Sequence, residues 1–453
     1  MITFDLSRSR ENLTTHSGLA LVGMALKHTE LDSRINKIQL PKIKGSPDIS
    51  HSDVIRSYVG LLCQGKHAFE AIEDFRGEEP FYDLALDIKH VPSCSTLRQR
   101  LDQLGEVEQS DSLLTDSIKE ESADMLAHYQ VHLTPALEEK VALDLDVSPF
   151  DNSKTKKEGV GRTYKGYDGY APMMAYLAEE GYCVNVELRP GKQHCQKETP
   201  AFLQESIRFS RRITDKPLLV RMDSGNDAVD NLSVLEAEKN VDYIIKRNLR
   251  REKPEAWWEV AKEEGVCHQH RPGKTVSQGA TTRLKTLRIN GKAVTRSIRC
   301  VYQVTVRTIT AKGQHLLIPE LDVETYWTSL DDEPHVIIEQ YHQHGTSEQY
   351  HSEFKTDMDL ERFPSGKFAT NQLVLHCALL AYNCLRLIGQ IANESPSMPL
   401  RKPAQRRRLK TVIQNLIYLA SRLVYHARRY KLSFGKWSPW FRSYRYVYGR
   451  LQC

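Results

Sequence analysis

Apolar positions in the first 135 residues recur at helical spacing. Val54, Ile55, Tyr58, Val59, Leu61 and Leu62 make one face, and Gly65 ends it. A second segment, opened by Ser93 or Ser95 as cap, carries Leu97, Leu101 and Leu104, with Arg98 and Arg100 expected in solvent beside them. It reads as an ordinary amphipathic helix or as the second helix of a helix-turn-helix. From Val141 the period changes to two. Val141, Leu143, Leu145 and Val147 fall on one face, with Asp144, Asp146 and Ser148 on the other, which predicts a strand ended by Pro149. Further strands are predicted over 182–188, 217–222 and 241–245, with helices over 199–211 and 231–238 between them. The run Leu218, Leu219, Val220 predicts a strand covered on both faces. This alternation implies an α/β layer.

The pattern shifts again near residue 250. Strand-like runs over 281–309 flank Asn290 and Gly291, a hairpin turn pair, so a β-rich segment is expected over 251–335. Helical spacing returns with Leu373, Leu375, Leu379, Leu380, Leu385 and Leu387 on a buried face. The expected organisation is therefore a helical region over 1–135, an α/β core over 136–250 and 336–395 interrupted by the β-rich segment, and a basic helical region over 396–453.

Charge changes the picture at the end of the chain. Net charge is +5, yet after Glu394 there is no Asp or Glu while Lys and Arg number 14, which leaves −9 for everything before. Trp437, Trp440, Phe441, Tyr444, Tyr446 and Tyr448 interleave with these cations. Phosphate neutralisation plus stacking suits a nucleic-acid surface, and a solvated basic helix is the plainer alternative. With 453 residues, 40% of them hydrophobic, the chain can bury a sizeable core in two to four units. Its nine cysteines are odd in number and unpaired in spacing, which points to reduced thiols. The start of the chain lacks a basic, then apolar, secretory pattern, and the apolar stretch 373–388 is broken by His376, Asn383 and Arg386. A cytoplasmic protein without a membrane span is expected.

Three carboxylates stand where such sheets gather chemistry: Asp146 on a central strand, Asp223 just past another, and Glu348 on a helix. Taken singly, an Asp at a strand end is more often a turn former or cap. Tyr341, His344, Glu348 and Lys355 are more specific. Their offsets of 3, 7 and 14 from Tyr341 place them within roughly 60° on a regular helix, as one polar stripe. Glu353 falls off that stripe, and a capping box of Thr346 with Gln349 would start the helix later. Cys267, His268 and His270 lack a second spaced pair and read as ordinary side chains rather than zinc ligands. Trp257, Trp258 and Trp327 are expected to be buried in the β-rich segment.

The spacing of Tyr341, His344, Glu348 and Lys355 resembles the YREK signature of DDE transposases from bacterial insertion sequences: Tyr, two residues, Arg, three residues, Glu, six residues, Lys. His344 departs from it, standing where that family has Arg and giving up a bidentate phosphate fork. On this ground His344→Arg is expected to preserve or improve activity. Asp146, Val147, Ser148 and Arg221, Met222, Asp223, Ser224, Gly225 match the family's first and second Asp motifs, 77 residues apart, with Glu348 a further 125 on. Asp144 faces the same way as Asp146 and is its alternative. The resemblance covers 141–386.

It implies an RNase H-like core in which Asp146, Asp223 and Glu348 hold two Mg²⁺ ions, with Mn²⁺ able to substitute. Tyr341, His344 and Lys355 would then contact DNA. It further implies cleavage at transposon ends, transfer of the 3′-hydroxyl into target DNA, and a homodimer in the synaptic complex. A nuclease of the same fold without strand transfer, and an inactive DNA-binding regulator, are the rival readings.

Overall fold

A computed structural model describes residues 4–8, 10–40, 47–111, 113–310, 312–400 and 402–452. The chain forms two compact units, one of residues 132–149 and 171–350, the other of residues 1–131, 150–170 and 351–453.

The first unit is built on a nine-stranded mixed sheet. Within it, Val141–Val147 runs parallel to Leu218–Met222, which runs parallel to Val241–Lys246. On the other side of Val141–Val147 lie Met173–Leu177 and Tyr182–Glu187, each antiparallel to its neighbour. Helices Thr199–Ile213 and Val229–Leu235 carry the chain between the parallel strands. Leu218, Leu219, Val220 and Met222 are fully buried, as expected of a strand covered on both faces. Met173–Leu177 escaped the sequence reading because it too is buried throughout and shows no alternation.

Beyond Val241–Lys246 the sheet continues antiparallel through His315–Thr328, Lys292–Ile309, Lys274–Ile289 and Val266–Arg271. The long hairpin turns at Asn290 (φ 50°) and Gly291 (φ 78°), the two left-handed positions for which Asn-Gly is the preferred pair. Helix Pro254–Glu264 precedes these strands and was not anticipated within the β-rich segment. Leu219, Ile244, Val301, Tyr326, Leu330, Ile337 and Ile338 form a buried cluster that fixes helix Pro334–His342 to the sheet, with Tyr341 packed at its edge.

The second unit is organised around helix Phe368–Asn393, longer than its leucine face suggested. By length and composition it could cross a membrane, but 94% of its most apolar window is buried. It packs against His51–Cys63, Cys94–Asp111 and Leu113–His128. Ser50 caps the first of these by accepting from the Asp53 N–H at 2.9 Å, and Ser93 caps the second by accepting from the Thr96 N–H at 3.2 Å. Arg98 is exposed as expected. Arg100 is not: it is buried, with Nη2 2.6 Å from His51 Nδ1. The expectation of a helical region after residue 396 also needs correcting. Helix Phe441–Leu451 is there, but Ser421–His426 and Arg429–Phe434 form a hairpin that pairs with Asn12–Thr14 in a three-stranded sheet. The eight described cysteines are all free, and Cys453 lies outside the described residues.

Candidate active site

Strand register brings two of the predicted carboxylates to one end of the sheet. Leu145 lies opposite Met222 on the adjacent parallel strand, so Asp146 and Asp223, each one residue further on, leave the carboxyl ends of neighbouring strands. Asp146 Oδ1 accepts from the Val147 N–H at 2.7 Å, and the Ser347 hydroxyl lies 3.5 Å from Oδ2. Asn226, itself fully buried, donates its amide to Asp223 Oδ1 at 2.6 Å. Gly225 leaves the space tight beside it: a Cβ there would sit 3.1 Å from Cys195 Sγ and 3.2 Å from Asp223 Oδ1, so either side chain would have to give slightly. Burial, and then the negative charge of Asp146, push the Asp223 carboxyl above the ordinary carboxylate range, against the opposing effects of His344 and Asn226. The two aspartates therefore repel one another inside a poorly hydrated site.

Asp144 has a different part. In register it lies directly opposite Arg221, whose Nε and Nη2 donate to its two carboxylate oxygens at 2.7 and 2.8 Å. His344 Nδ1 lies 2.9 Å from the same carboxylate, and Arg221 Nη1 donates to the Gln340 carbonyl at 2.8 Å. All three side chains are buried. Burial favours a neutral Asp144, but Arg221 and then His344 outweigh it and hold the carboxyl below its usual range. Burial likewise opposes a charged His344, but Asp144 and then Asp146 hold the imidazole above its usual value. Asp144 is thus committed to a structural ion pair, and Asp146 is the better candidate ligand. The sequence carried a signal for this brace: Arg221 is the one charged residue in the buried strand Leu218–Met222.

The signature residues do not share one stripe. Helix Pro334–His342 tightens into a 3₁₀ turn over Gln343–Thr346, relaxes to α over Ser347–Ser352, and widens to π over Glu353–Asp357. Four 3₁₀ residues each advance ~120° instead of ~100°, which carries Glu348 from about 20° on one side of Tyr341 to about 60° on the other. Tyr341 and His344 keep to the sheet, their ring centroids 5.8 Å apart, whereas Glu348 is exposed. Among the described residues no three His, Cys, Asp or Glu side chains are grouped closely enough to hold a metal ion. Asp146 and Asp223 offer only oxygen donors and mutual repulsion that a cation would relieve, which fits a hard divalent ion; Glu348 is not gathered with them. Lys355 belongs to the other unit, its ammonium 5.1 Å over the Phe150 ring. Glu353, set aside on helical phase, is buried in that unit against Arg386 and Arg406.

The buried His344 reverses the expectation drawn from the signature. A longer guanidinium in its place would overfill the site and face Arg221. His344→Arg is now expected to cost about 1–3 kcal/mol in denaturant unfolding, with no gain in activity. Parental stability and activity in this variant would count against the packing argument.

Trp257 and Trp327 are buried, with indole N–H groups donating to Glu252 and Asp227, both at 2.9 Å, while Trp258 is half-buried. Arg247 stacks 4.4 Å from the Trp327 ring. Arg247, Arg250, Arg251 and Lys285 line a cavity with Asp227, four residues past Asp223. Cys267 is exposed; the side chains of His268 and His270 lie outside the described residues. His342 is exposed, 3.7 Å from Glu324.

Residues 5–453 match the family described as transposase DDE domain group 1. No curated protein matches. Among solved structures, a piggyBac transposase in a synaptic complex with hairpin DNA is similar at 10% identity and a TM-score of 0.43, over 98% of this chain and 85% of that one. With the family match spanning nearly its whole length, this chain belongs to the transposase DDE domain group 1 family.

Proposed function

We propose that this transposase cuts DNA at the ends of an insertion sequence and joins the freed 3′-hydroxyl to target DNA, as a YREK-type member with an RNase H-like core. The observation that carries the reading is the pair Asp146 and Asp223, at the ends of adjacent parallel strands and close enough for one to raise the other's pKa. In this reading Asp146 and Asp223 hold the divalent cations, and the exposed Glu348, not grouped with them here, would join as third oxygen donor when the ions bind. Bound there, two Mg²⁺ ions, or Mn²⁺ in their place, would activate the attacking oxygen and stabilise the leaving one.

The remaining roles belong to the chain's own groups. Val147 N–H and Asn226 fix the two carboxylates, and the Asp144–Arg221–His344 network holds the strand that carries Asp146. Burial, and then Asp223 and Asp146, raise the Tyr341 phenol well above its ordinary value. It therefore stays protonated and can donate to a phosphate oxygen. Lys355 contributes a further cation toward DNA in this reading. The protein acts in the cytoplasm, as a homodimer when two ends are paired.

The test is an assay with paired end-sequence duplexes and Mg²⁺. Cleavage followed by covalent joining to a target plasmid is expected. Cleavage without joining would make the protein a nuclease of the same fold, and duplex binding with no cleavage would make it a regulator.

A further inference from the structure

The two hairpins turn by the same backbone geometry with very different residues. The first uses Asn290 and Gly291; the second places Ala427 (φ 49°) and Arg428 (φ 60°) at the two left-handed positions. A Cβ is disfavoured there, and Asn-Gly is the pair that avoids the penalty. Backbone strain kept at an exposed tip asks for a reason in function.

The surroundings supply one. Arg428, Arg429, Lys431, Lys436, Arg442 and Arg445 are all exposed, and none forms an ion pair among the described residues. Of the other described cations after Glu394, Arg406 pairs with Glu353, Arg408 with Asp357, Arg422 with Glu11 and Arg450 with Glu394, while Arg407 bonds only Asn393 and a backbone carbonyl and Lys402 and Lys410 are exposed. Six of the nine described cations without an ion pair after Glu394 thus lie between Arg428 and Arg445, on the hairpin and the segment that follows it. Tyr425 and Tyr430 face each other across the strands, 62% and 58% exposed, with ring centroids 4.8 Å apart. The base of the hairpin is fixed. Ser421 bonds Ser17 at 2.5 Å, Leu423 pairs with Asn12, and Phe434 packs on Phe441 and Tyr444.

We infer that this hairpin is a duplex-DNA ribbon, with Arg428 and Arg429 entering the major groove and, like the flanking cations, neutralising the phosphates that line it. A two-stranded ribbon fits a groove about 12 Å wide, and arginine at its tip can reach base edges. The inference rests on the protein acting on DNA, but concerns a surface apart from the carboxylates.

The test measures duplex binding by the full-length protein across a salt series. Ala427→Asn with Arg428→Gly installs the favoured turn and removes the tip cation. This double variant is expected to melt no lower than the parent, to bind about fivefold more weakly, and to lose about 0.9 from the slope of log affinity against log salt. Arg428→Lys should keep the slope. Should the double variant fail to fold, Arg429→Gln with Lys431→Gln is expected to lower the slope by about two. A folded variant with parental affinity and slope overturns the inference alone. Equal or greater loss of binding to single strands or to an acidic polypeptide also overturns it. A parent that binds no duplex removes the functional reading with it.

Discussion

Asp223→Asn is expected to abolish DNA cleavage while leaving folding and duplex binding intact. Asn keeps the shape of the side chain and can still meet Asn226, but it removes the negative charge that a divalent cation requires. The loss should be roughly 10³-fold or more, about 4 kcal/mol of transition-state stabilisation. Asp146→Asn should behave alike, because its carboxylate shares the same field. The stability of both variants carries independent information. In the parent, burial and Asp146 raise the Asp223 carboxyl, so its contribution to stability is fully present below its unfolded pKa and is lost as pH rises through the folded value. Neutralising either aspartate removes that repulsion, and melting temperature at neutral pH, in the absence of metal, should hold or rise. Cleavage at parental rates by either variant would end the assignment. Cleavage lost together with stability would mean that the pair is structural.

How much of this was legible in the residues depended on how each element advertises itself. Leu218–Met222 and Val141–Val147 were readable because apolar runs and alternation are produced directly by burial on a sheet. Met173–Leu177 offered neither alternation nor β-branched residues. The hairpin after Ser421 was hidden by its turn: Ala427 and Arg428 are not turn residues, although Leu423, Tyr425, Tyr430 and Leu432 do alternate. The position of Asp146 and Asp223 was legible because each stands at the end of a strand that the pattern predicts. The polar stripe through Glu348 and Lys355 assumed one helical pitch over fourteen residues, whereas the chain changes pitch three times between Tyr341 and Lys355. Asp144 and Asp146 share a face, so periodicity could not separate them. Only the register that sets Asp144 against Arg221 does.

That register yields the second large effect. Arg221→Met should cost about 3–5 kcal/mol of unfolding free energy, because it leaves Asp144 ionised and buried with only His344 to answer it. Asp144→Leu should cost a similar amount, leaving Arg221 buried with the Gln340 carbonyl as partner. The double variant Asp144→Leu with Arg221→Met should be less destabilised than the sum of the two, since the remaining charge is removed with its partner. Urea unfolding of the three variants measures this directly, and additive losses would refute the coupling. The acid limb provides a second reading. Arg221 and His344 depress the Asp144 carboxyl despite its burial, so its contribution is present above the unfolded value, about 3.9, and is lost as pH falls through the lower folded value. The parent should therefore lose stability on acidification more steeply than the double variant. This sign is opposite to that of Asp223. Two aspartates of one sheet would thus be told apart by how they respond to acid, one bracing the strands and the other waiting for a cation.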